Sequence, residues 1–408
     1  MRPVAIVLAS TLAWFMQQET KLTGTGAVGN AFQGRSTSIS ADGNTAIVGG
    51  NLDNGSVGAL WAWTRNAGVW TQQGGKLTGS GTVGSANLGT AAALSSDGNT
   101  AIVGAPADNS NAGAAWIFTR SAGVWTQQGS KLVGAGAIGS SQQGWSVGIS
   151  GDGNTAIVGG PLDGSASGGA AWIFTRSGGV WTQQGNKLVG AGAQGISSRQ
   201  GWSVALSSDG NTAIVGGYGD NAAHGAAWVW TRSGGVWTQQ GTKLVGLGGT
   251  SGVGNEWQGW AVALSSDGNT AIIGAVADNN NTGAVWIWTR VGTIWLQQST
   301  KIIASGNPGA ALFGNSVALS ADGNTAIVGG SGGNGAAWVL ARSGSLWSEQ
   351  EKLIGSGATG GEQQGSSVDI SADGSTVIVG GPLDKGFAGA AWIFVRTTLP
   401  VKRHAARH

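Results

Sequence analysis

The chain has 408 residues, a net charge of +2, 78 glycines, 21 tryptophans and no cysteine. The glycines follow no Gly-X-Y register and 40% of the residues are hydrophobic, which excludes a collagen-like or disordered protein. The lack of cysteine excludes a disulfide framework and a thiolate metal site. Charged residues make up only 10% of the chain and are spread evenly, so there is no basic stripe for nucleic acid.

Residues 1–20 allow two interpretations. Arg2 and the apolar residues 4–12 are typical of a signal peptide, and this run is too short to span a membrane. Residues 15–21, however, match residues 125–131 position for position, which predicts a strand of the repeated fold described next. Both interpretations hold if a leader is cleaved before Trp14.

Seven near-copies of one hairpin sequence follow, each with an aspartate at the same internal position: Asp42, Asp97, Asp152, Asp209, Asp267, Asp322 and Asp373. In the fourth repeat the apolar pattern predicts four strands, a to d, at residues 202–207, 212–216, 226–232 and 236–240. A tight turn at Asp209-Gly210-Asn211 joins strands a and b, and loop b–c varies in length between repeats. This density of strands and turns predicts an all-β chain.

Strands b and c are nearly continuous apolar runs, which predicts that both faces of each sheet are covered. Four strands in a unit of this size are typical of a propeller blade packed between two neighbours. The last repeat lacks a strand d, and residues 15–21 supply it, which leaves no open sheet edge. We therefore predict a seven-bladed β-propeller of four antiparallel strands per blade at residues 21–396, closed by the N-terminal strand, with a basic tail at 397–408.

Short motifs at the blade boundaries resemble those of a known family. Phe313-Gly314 precedes strand a of the sixth repeat, and Gly104-Ala105-Pro106 follows strand b of the second. Elsewhere the first motif becomes Gln-Gly, as at Gln143-Gly144, and the second becomes Gly-Gly-Pro. The repeats resemble FG-GAP repeats, the blades of the integrin α-subunit propeller and of many bacterial surface proteins. The resemblance covers essentially the whole chain and implies the fold, but propellers host many functions.

The resemblance raises the possibility of a calcium site, because some blades of the family bind calcium. Calcium-binding blades of the family carry several Asp or Asn residues in a loop between the first two strands, whereas the turn here offers one carboxylate, such as Asp209. Calcium takes six to eight oxygen ligands. We therefore expect no metal and no other cofactor, and we expect each turn aspartate to bond local backbone N–H groups.

The tryptophans divide into two groups. One recurs at fixed positions in strands c and d, which predicts packing between blades. Its members are Trp61, Trp116, Trp172, Trp228, Trp286, Trp338 and Trp392 in strand c, and Trp70, Trp125, Trp181, Trp237, Trp295 and Trp347 in strand d. The other group, Trp145, Trp202, Trp257 and Trp260, occurs only in three central repeats, where loop d–a meets strand a. A tryptophan face near a loop can stack on a sugar ring, which makes these four residues ligand candidates. Packing against inner strands is the alternative.

A second set of candidates lies in loop b–c, where oxygen-rich runs begin at Asp108, Asp163, Asp220 and Asp278. We include these aspartates in the predicted ligand-binding set, with turn formation as the alternative. In an up-and-down blade, loops b–c and d–a lie on one face of the disc, and these are the loops that differ between repeats. That face is the expected binding surface.

The inventory of catalytic groups is thin, because His224 is the one histidine outside the tail and is interpreted as a solvated loop residue. The sequence therefore predicts no catalytic residues and no enzyme. It favours an extracellular or cell-surface recognition module, bacterial in type, that binds a glycan or a protein surface. The alternative is a structural protein that self-assembles into a filament or surface array through residues 4–12.

Overall fold

The computed structural model describes residues 13–164, 168–195, 197–249, 255–305 and 309–398. They form seven four-stranded antiparallel sheets. The first strands of consecutive sheets contact one another in order, and the seventh contacts the first, so the sheets surround a central channel. The predicted all-β, seven-bladed propeller is confirmed.

Each blade runs outward from strand a at the channel to strand d at the rim. The described chain begins with β1 (Ala13–Gln17). Blade 1 contains β2 (Ser36–Ile39), β3 (Thr45–Gly50), β4 (Ala59–Asn66) and β5 (Val69–Gln72). Blade 2 contains β6 (Ala91–Leu94), β7 (Thr100–Ala105), β8 (Ala114–Ser121) and β9 (Val124–Gln127). Blade 3 contains β10 (Ser146–Ile149), β11 (Thr155–Gly160), β12 (Ala170–Ser177) and β13 (Val180–Gln183).

The remaining blades follow the same order. Blade 4 contains β14 (Ser203–Leu206), β15 (Thr212–Gly217), β16 (Ala226–Ser233) and β17 (Val236–Gln239). Blade 5 contains β18 (Ala261–Leu264), β19 (Thr270–Ala275), β20 (Ala284–Val291) and β21 (Ile294–Ile302). Blade 6 contains β22 (Phe313–Leu319), β23 (Thr325–Gly330), β24 (Ala336–Ser343) and β25 (Leu346–Leu353). Blade 7 contains β26 (Ser367–Ile370), β27 (Thr376–Gly381), β28 (Ala390–Thr398) and the N-terminal strand β1.

Among the described residues, five of the b–c loops contain a four-residue helical turn: α1 (Asp53–Ser56), α2 (Asp108–Asn111), α3 (Asp220–Ala223), α4 (Asp278–Asn281) and α5 (Asp384–Phe387). Their interiors are left-handed; Asn109, for example, has φ +49° and ψ +60°. Asparagine tolerates this region because its short side chain bonds locally. These segments are therefore tight turns and not ordinary α-helices.

Ring closure joins the two ends of the chain. Strand β1 pairs antiparallel with β28, with Phe15 opposite Arg396 and Gln17 opposite Phe394. The backbone N–H of Phe15 also donates to Glu351 of blade 6 at 2.8 Å. The predicted closing strand is confirmed, although it stops at Gln17 and does not reach Lys21. Residues 4–12 and 399–408 lie outside the described residues, so self-assembly through residues 4–12 stays a prediction.

The core consists of strand b and c side chains pressed between neighbouring blades. All seven strand c tryptophans named above are almost completely buried, which confirms the predicted packing. Trp61 illustrates the fit, since its indole N–H donates to the Thr25 carbonyl at 2.8 Å. A Cβ on Gly24 would lie 2.1 Å from the same indole ring, so only glycine fits there. Repeated glycines therefore make room for repeated tryptophans.

The a–b turns form a constant face of the disc, here called the turn face. Ser207 Oγ donates to Asp209 Oδ1 at 2.5 Å, and the Asn211 N–H donates to the same oxygen at 2.9 Å. This confirms that the turn aspartate caps its own hairpin. Burial opposes ionisation of Asp209, but the hydrogen bonds outweigh it and hold the pKa of its carboxyl below the ordinary value. The same arrangement recurs in the other six turns.

A closed ring of backbone hydrogen bonds runs around the channel on this face. The Ala41 N–H donates to Ser96 O at 3.0 Å, and the Ala372 N–H donates to Ala41 O at 2.9 Å, which completes the circle. The participants are the equivalent residues of all seven blades: Ala41, Ser96, Gly151, Ser208, Ser266, Ala321 and Ala372. Main-chain groups thus hold the blades together here, whatever the side chains are.

Candidate ligand-binding site

The four predicted loop aspartates are buried and bonded to their own fold. The Asp108 carboxylate contacts Lys131 Nζ at 2.5 Å and accepts the Val83 N–H at 2.7 Å. Equivalent Lys–Asp pairs occur in five other blades: Lys76–Asp53, Lys187–Asp163, Lys243–Asp220, Lys301–Asp278 and Lys21–Asp384. Their aspartate side chains are at most 3% exposed. These aspartates fasten loop b–c to loop d–a, and the ligand surface proposed below does not use them.

The four candidate tryptophans do come together. Trp202 lies between Trp145 and Trp260, with ring centroids 4.6 and 4.8 Å away. Trp257 stacks on Trp260 at 5.4 Å with an interplanar angle of 18°. Tyr218, the one tyrosine of the chain, contacts Trp202, Trp257 and Trp260 at 4.6 to 5.5 Å. We call these five residues the aromatic wall; all are partly exposed.

The aromatic wall borders the channel mouth on the face of loops b–c and d–a, here called the loop face. Trp145, Trp202 and Trp260 occupy one structural position, immediately before strand a, and line a cavity of about 310 Å³. The other four residues at this position line the same cavity: Arg35, Thr90, Asn315 and Ser366. The mouth is therefore a ring of seven equivalent positions, three aromatic and four polar.

The glycine before each of these positions explains how they can differ. The Gly144 N–H donates to Gly159 O at 3.0 Å, and a Cβ on Gly144, which has φ +84°, would lie 2.2 Å from Ala114 O. The main chain is therefore fixed by a residue that must be glycine. The next residue, Trp145, is free to vary because blade closure does not depend on its side chain.

The polar half of the mouth faces the aromatic wall. Arg35 is in blade 1, and in a ring of seven the blades opposite it are blades 4 and 5, which carry Trp202 and Trp260. Asn315 Nδ2 donates to Ser366 O at 3.0 Å, and Thr90 Oγ1 donates to Asn87 O at 2.8 Å. Burial lowers the pKa of the Arg35 guanidinium below its ordinary value. Arginine stays protonated at neutral pH even so.

His224 is not the solvated residue expected from the sequence. Its Nδ1 lies 2.6 Å from Glu256 Oε2, and its side chain is 39% exposed. The backbone of the same loop is bonded to blade 4, since the Trp257 N–H donates to Ala223 O at 3.1 Å. The pair therefore helps to hold the segment that carries Trp257 in the aromatic wall.

The opposite mouth, on the turn face, is lined by the isoleucine or leucine that ends each strand a, by small serine, alanine and glycine residues, and by one carboxylate. Asp369 stands where the other blades have serine, alanine or glycine, and it accepts hydrogen bonds from Ser38 Oγ at 2.9 Å and the Ile39 N–H at 2.8 Å. Burial raises the pKa of this carboxyl to about 6, against the effect of those bonds. Within the described residues no group of three or more His, Asp or Glu side chains is placed to share a metal ion. The absence of a cofactor stays a prediction.

Sequence reasoning missed Arg35, Tyr218 and Phe32, which also lines the mouth. The alignment of the repeats contained a signal for Arg35. Arg35 aligns with Trp145, Trp202 and Trp260 in the repeat, so the seven variable residues could have been collected as one ring. Tyr218 follows strand b, and the hairpin register that pairs Ser203 with Gly216 sets it close to Trp202. Only the packing of neighbouring blades brings it to Trp257 and Trp260.

The architecture is that of a seven-bladed β-propeller with an axial cavity. The FG-GAP repeat family model matches residues 347–394, which cover strand d of blade 6 and strands a to c of blade 7. This match and the seven blades together support an FG-GAP propeller, as the sequence motifs indicated. No curated protein matches the chain. No helix in the described part of the chain is long and apolar enough to cross a membrane.

Proposed function

We propose that this propeller is a non-catalytic, extracellular recognition module that binds a glycan at the loop-face mouth of its channel. The observation that supports it is the aromatic wall, a continuous and partly exposed surface opposite polar side chains. FG-GAP repeats are typically extracellular, and their fold suggests an interaction module.

A sugar ring has the chemistry that this mouth would recognise. A pyranose presents an apolar C–H face and a rim of hydroxyl groups. The faces of Trp202 and Trp260 suit the apolar side, and Asn315 and Thr90 offer amide and hydroxyl groups to the rim. The cavity therefore offers an apolar stacking surface and hydrogen-bonding groups to one small ligand.

The size of the cavity also favours a sugar over a protein surface. At about 310 Å³ it lies at the small end of ligand pockets, which start near roughly 300 Å³. A stable protein partner covers about 800 Å² of each surface. Such a partner would need the whole loop face and not the mouth alone.

Glycan-array binding by the full chain, followed by titration of the best ligand, tests the proposal. We expect Trp202→Ala to abolish binding, because Trp202 is the centre of the aromatic wall. Trp237→Ala is the matched control: Trp237 is a partly buried rim tryptophan on strand d that contacts Arg232 and is distant from the mouth. Its variant should bind normally.

Two results would overturn the proposal. In the first, the wild type binds no glycan but binds a protein ligand, and Trp202→Ala no longer binds that protein. The ligand of the mouth would then be a protein and not a glycan. The other is equal binding by Trp202→Ala and Trp237→Ala, which would place the site elsewhere.

A further inference from the structure

We infer that the ligand of the loop-face mouth is an acidic sugar, whose anionic group lies against the guanidinium of Arg35 while its ring stacks on the aromatic wall. The inference rests on the proposed function and narrows it to one class of ligand. Four observations carry it.

The first observation is that Arg35 interrupts the pattern of arginines in the fold. Six repeat-locked arginines lie over a tryptophan ring and donate from Nε to an asparagine of the adjacent turn: Arg65, Arg120, Arg176, Arg232, Arg290 and Arg342. Arg35 stands at a different position, in the channel mouth, where the other six blades have neutral residues. Its charge is therefore specific to this cavity.

The second observation is that the described part of the chain gives the Arg35 charge no partner. Within the described residues, no ion pair and no side-chain hydrogen bond joins Arg35 to another group. The residues that line the cavity include no aspartate or glutamate. A partly buried guanidinium that lacks an anion is costly, and an anionic ligand would offset that cost.

The third observation is that the carboxylate lining the opposite mouth is already bonded within the fold. Asp369 lines the opposite mouth and is bonded to Ser38 and Ile39 of blade 1. The equivalent of Asp369 in blade 1 is Ser38, three residues beyond Arg35, which corresponds to about 10 Å along a strand. Asp369 therefore does not neutralise Arg35.

The fourth observation is that the positive charge of Arg35 lies across the mouth from the aromatic wall. Electron-rich tryptophan faces attract cations as well as sugars. Arg35 stands opposite Trp202 and Trp260, so a cation held on these rings would be repelled. When a sugar ring stacks on the aromatic wall, an anionic group on the side of the sugar that faces Arg35 is attracted by the guanidinium. The planar guanidinium also suits the geometry of carboxylate or sulfate oxygens.

Titration of full-length protein and variants with three oligosaccharides tests the inference: a hexuronate, its carboxyl-reduced neutral form, and a sulfated neutral sugar. We expect the wild type to bind an acidic form at least about tenfold more tightly than the neutral form, as for a charge-assisted hydrogen bond. Arg35→Gln should remove this preference, so that the acidic and neutral forms bind with dissociation constants within about twofold of each other. The ratio of the wild-type dissociation constants for the hexuronate and the sulfated sugar then shows whether the mouth prefers a carboxylate or a sulfate.

Arg199→Gln is the matched control, because Arg199 is a second non-repeat arginine on the loop face that does not line the cavity. It should keep the acidic preference, and melting temperatures should show that both variants fold. Equal binding of acidic and neutral sugars by the wild type, or an unchanged preference in Arg35→Gln, would overturn the inference while Trp202-dependent glycan binding still stands. A wild-type protein that binds none of the three oligosaccharides would instead count against the proposed function.

Discussion

The two mouths of the channel are built from the same seven strands and differ in almost every property. On the turn face, strand a ends on an isoleucine or leucine in every blade: Ile39, Leu94, Ile149, Leu206, Leu264, Leu319 and Ile370. On the loop face, the equivalent ring holds arginine, threonine, three tryptophans, asparagine and serine. At the loop face a glycine fixes the main chain before each of these seven positions, so the side chains that follow are free to differ. Near-identical blades can therefore carry one asymmetric site.

The largest expected effect contrasts a tryptophan of the core with one of the mouth. Trp228→Ala removes a fully buried indole between blades 3 and 4 and should lower the free energy of unfolding by about 3–5 kcal/mol. Trp202→Ala, at the partly exposed mouth, should cost much less. Denaturant unfolding of both variants measures the difference. Equal losses would show that the mouth tryptophans belong to the structural core.

Next in size is the buried ion pair that fastens loop b–c. Asp220→Asn leaves Lys243 without its anion, and because that lysine is 15% exposed we expect a loss of about 2–3 kcal/mol. The control is Lys352→Met in blade 6, whose b–c loop has no aspartate and whose lysine contacts the Trp338 ring at 4.9 Å. Its unfolding free energy should change by less than that of Asp220→Asn, and a reversed order would contradict this account of the loops.

A third change removes the charge from the turn-face mouth. The folded-state pKa of Asp369 is raised to about 6, above its ordinary value of 3.8. The stability therefore falls as the pH rises from 3.8 to about 6, the full loss is present above pH 6, and there is no loss once both states are protonated. Asp369→Asn should therefore stabilise the fold at pH 7.5 by on the order of 1–3 kcal/mol, and the gain should vanish near pH 3.5. Unfolding curves at the two pH values measure it. A loss of stability at pH 7.5 would show that the charge itself is needed.

The smallest effect concerns one hairpin cap of the turn face. Asp209→Asn weakens the bonds from Ser207 and Asn211 and should cost about 1 kcal/mol or less at pH 7. Because the folded pKa of Asp209 is lowered, the wild-type advantage is present above the ordinary carboxyl pKa and is lost as the pH falls through the folded value. Acid titration of unfolding for both proteins tests this, and a difference that grows in acid would contradict it.

The sequence by itself determined the architecture, because each blade repeats the same local rules. Continuous apolar strands, glycine turns and recurring tryptophans such as Trp61 specify a blade wherever they occur, and the match of residues 15–21 to a later repeat specified the closing strand. It also selected Trp145, Trp202, Trp257 and Trp260, which interrupt the repeat. Only the tertiary structure decided the rest. The loop aspartates became buried partners of lysines distant in sequence, and Tyr218 joined the wall from another strand. Arg35 met Trp202 only across a closed ring, since a repeat records what each blade shares and not which residues face one another around the axis.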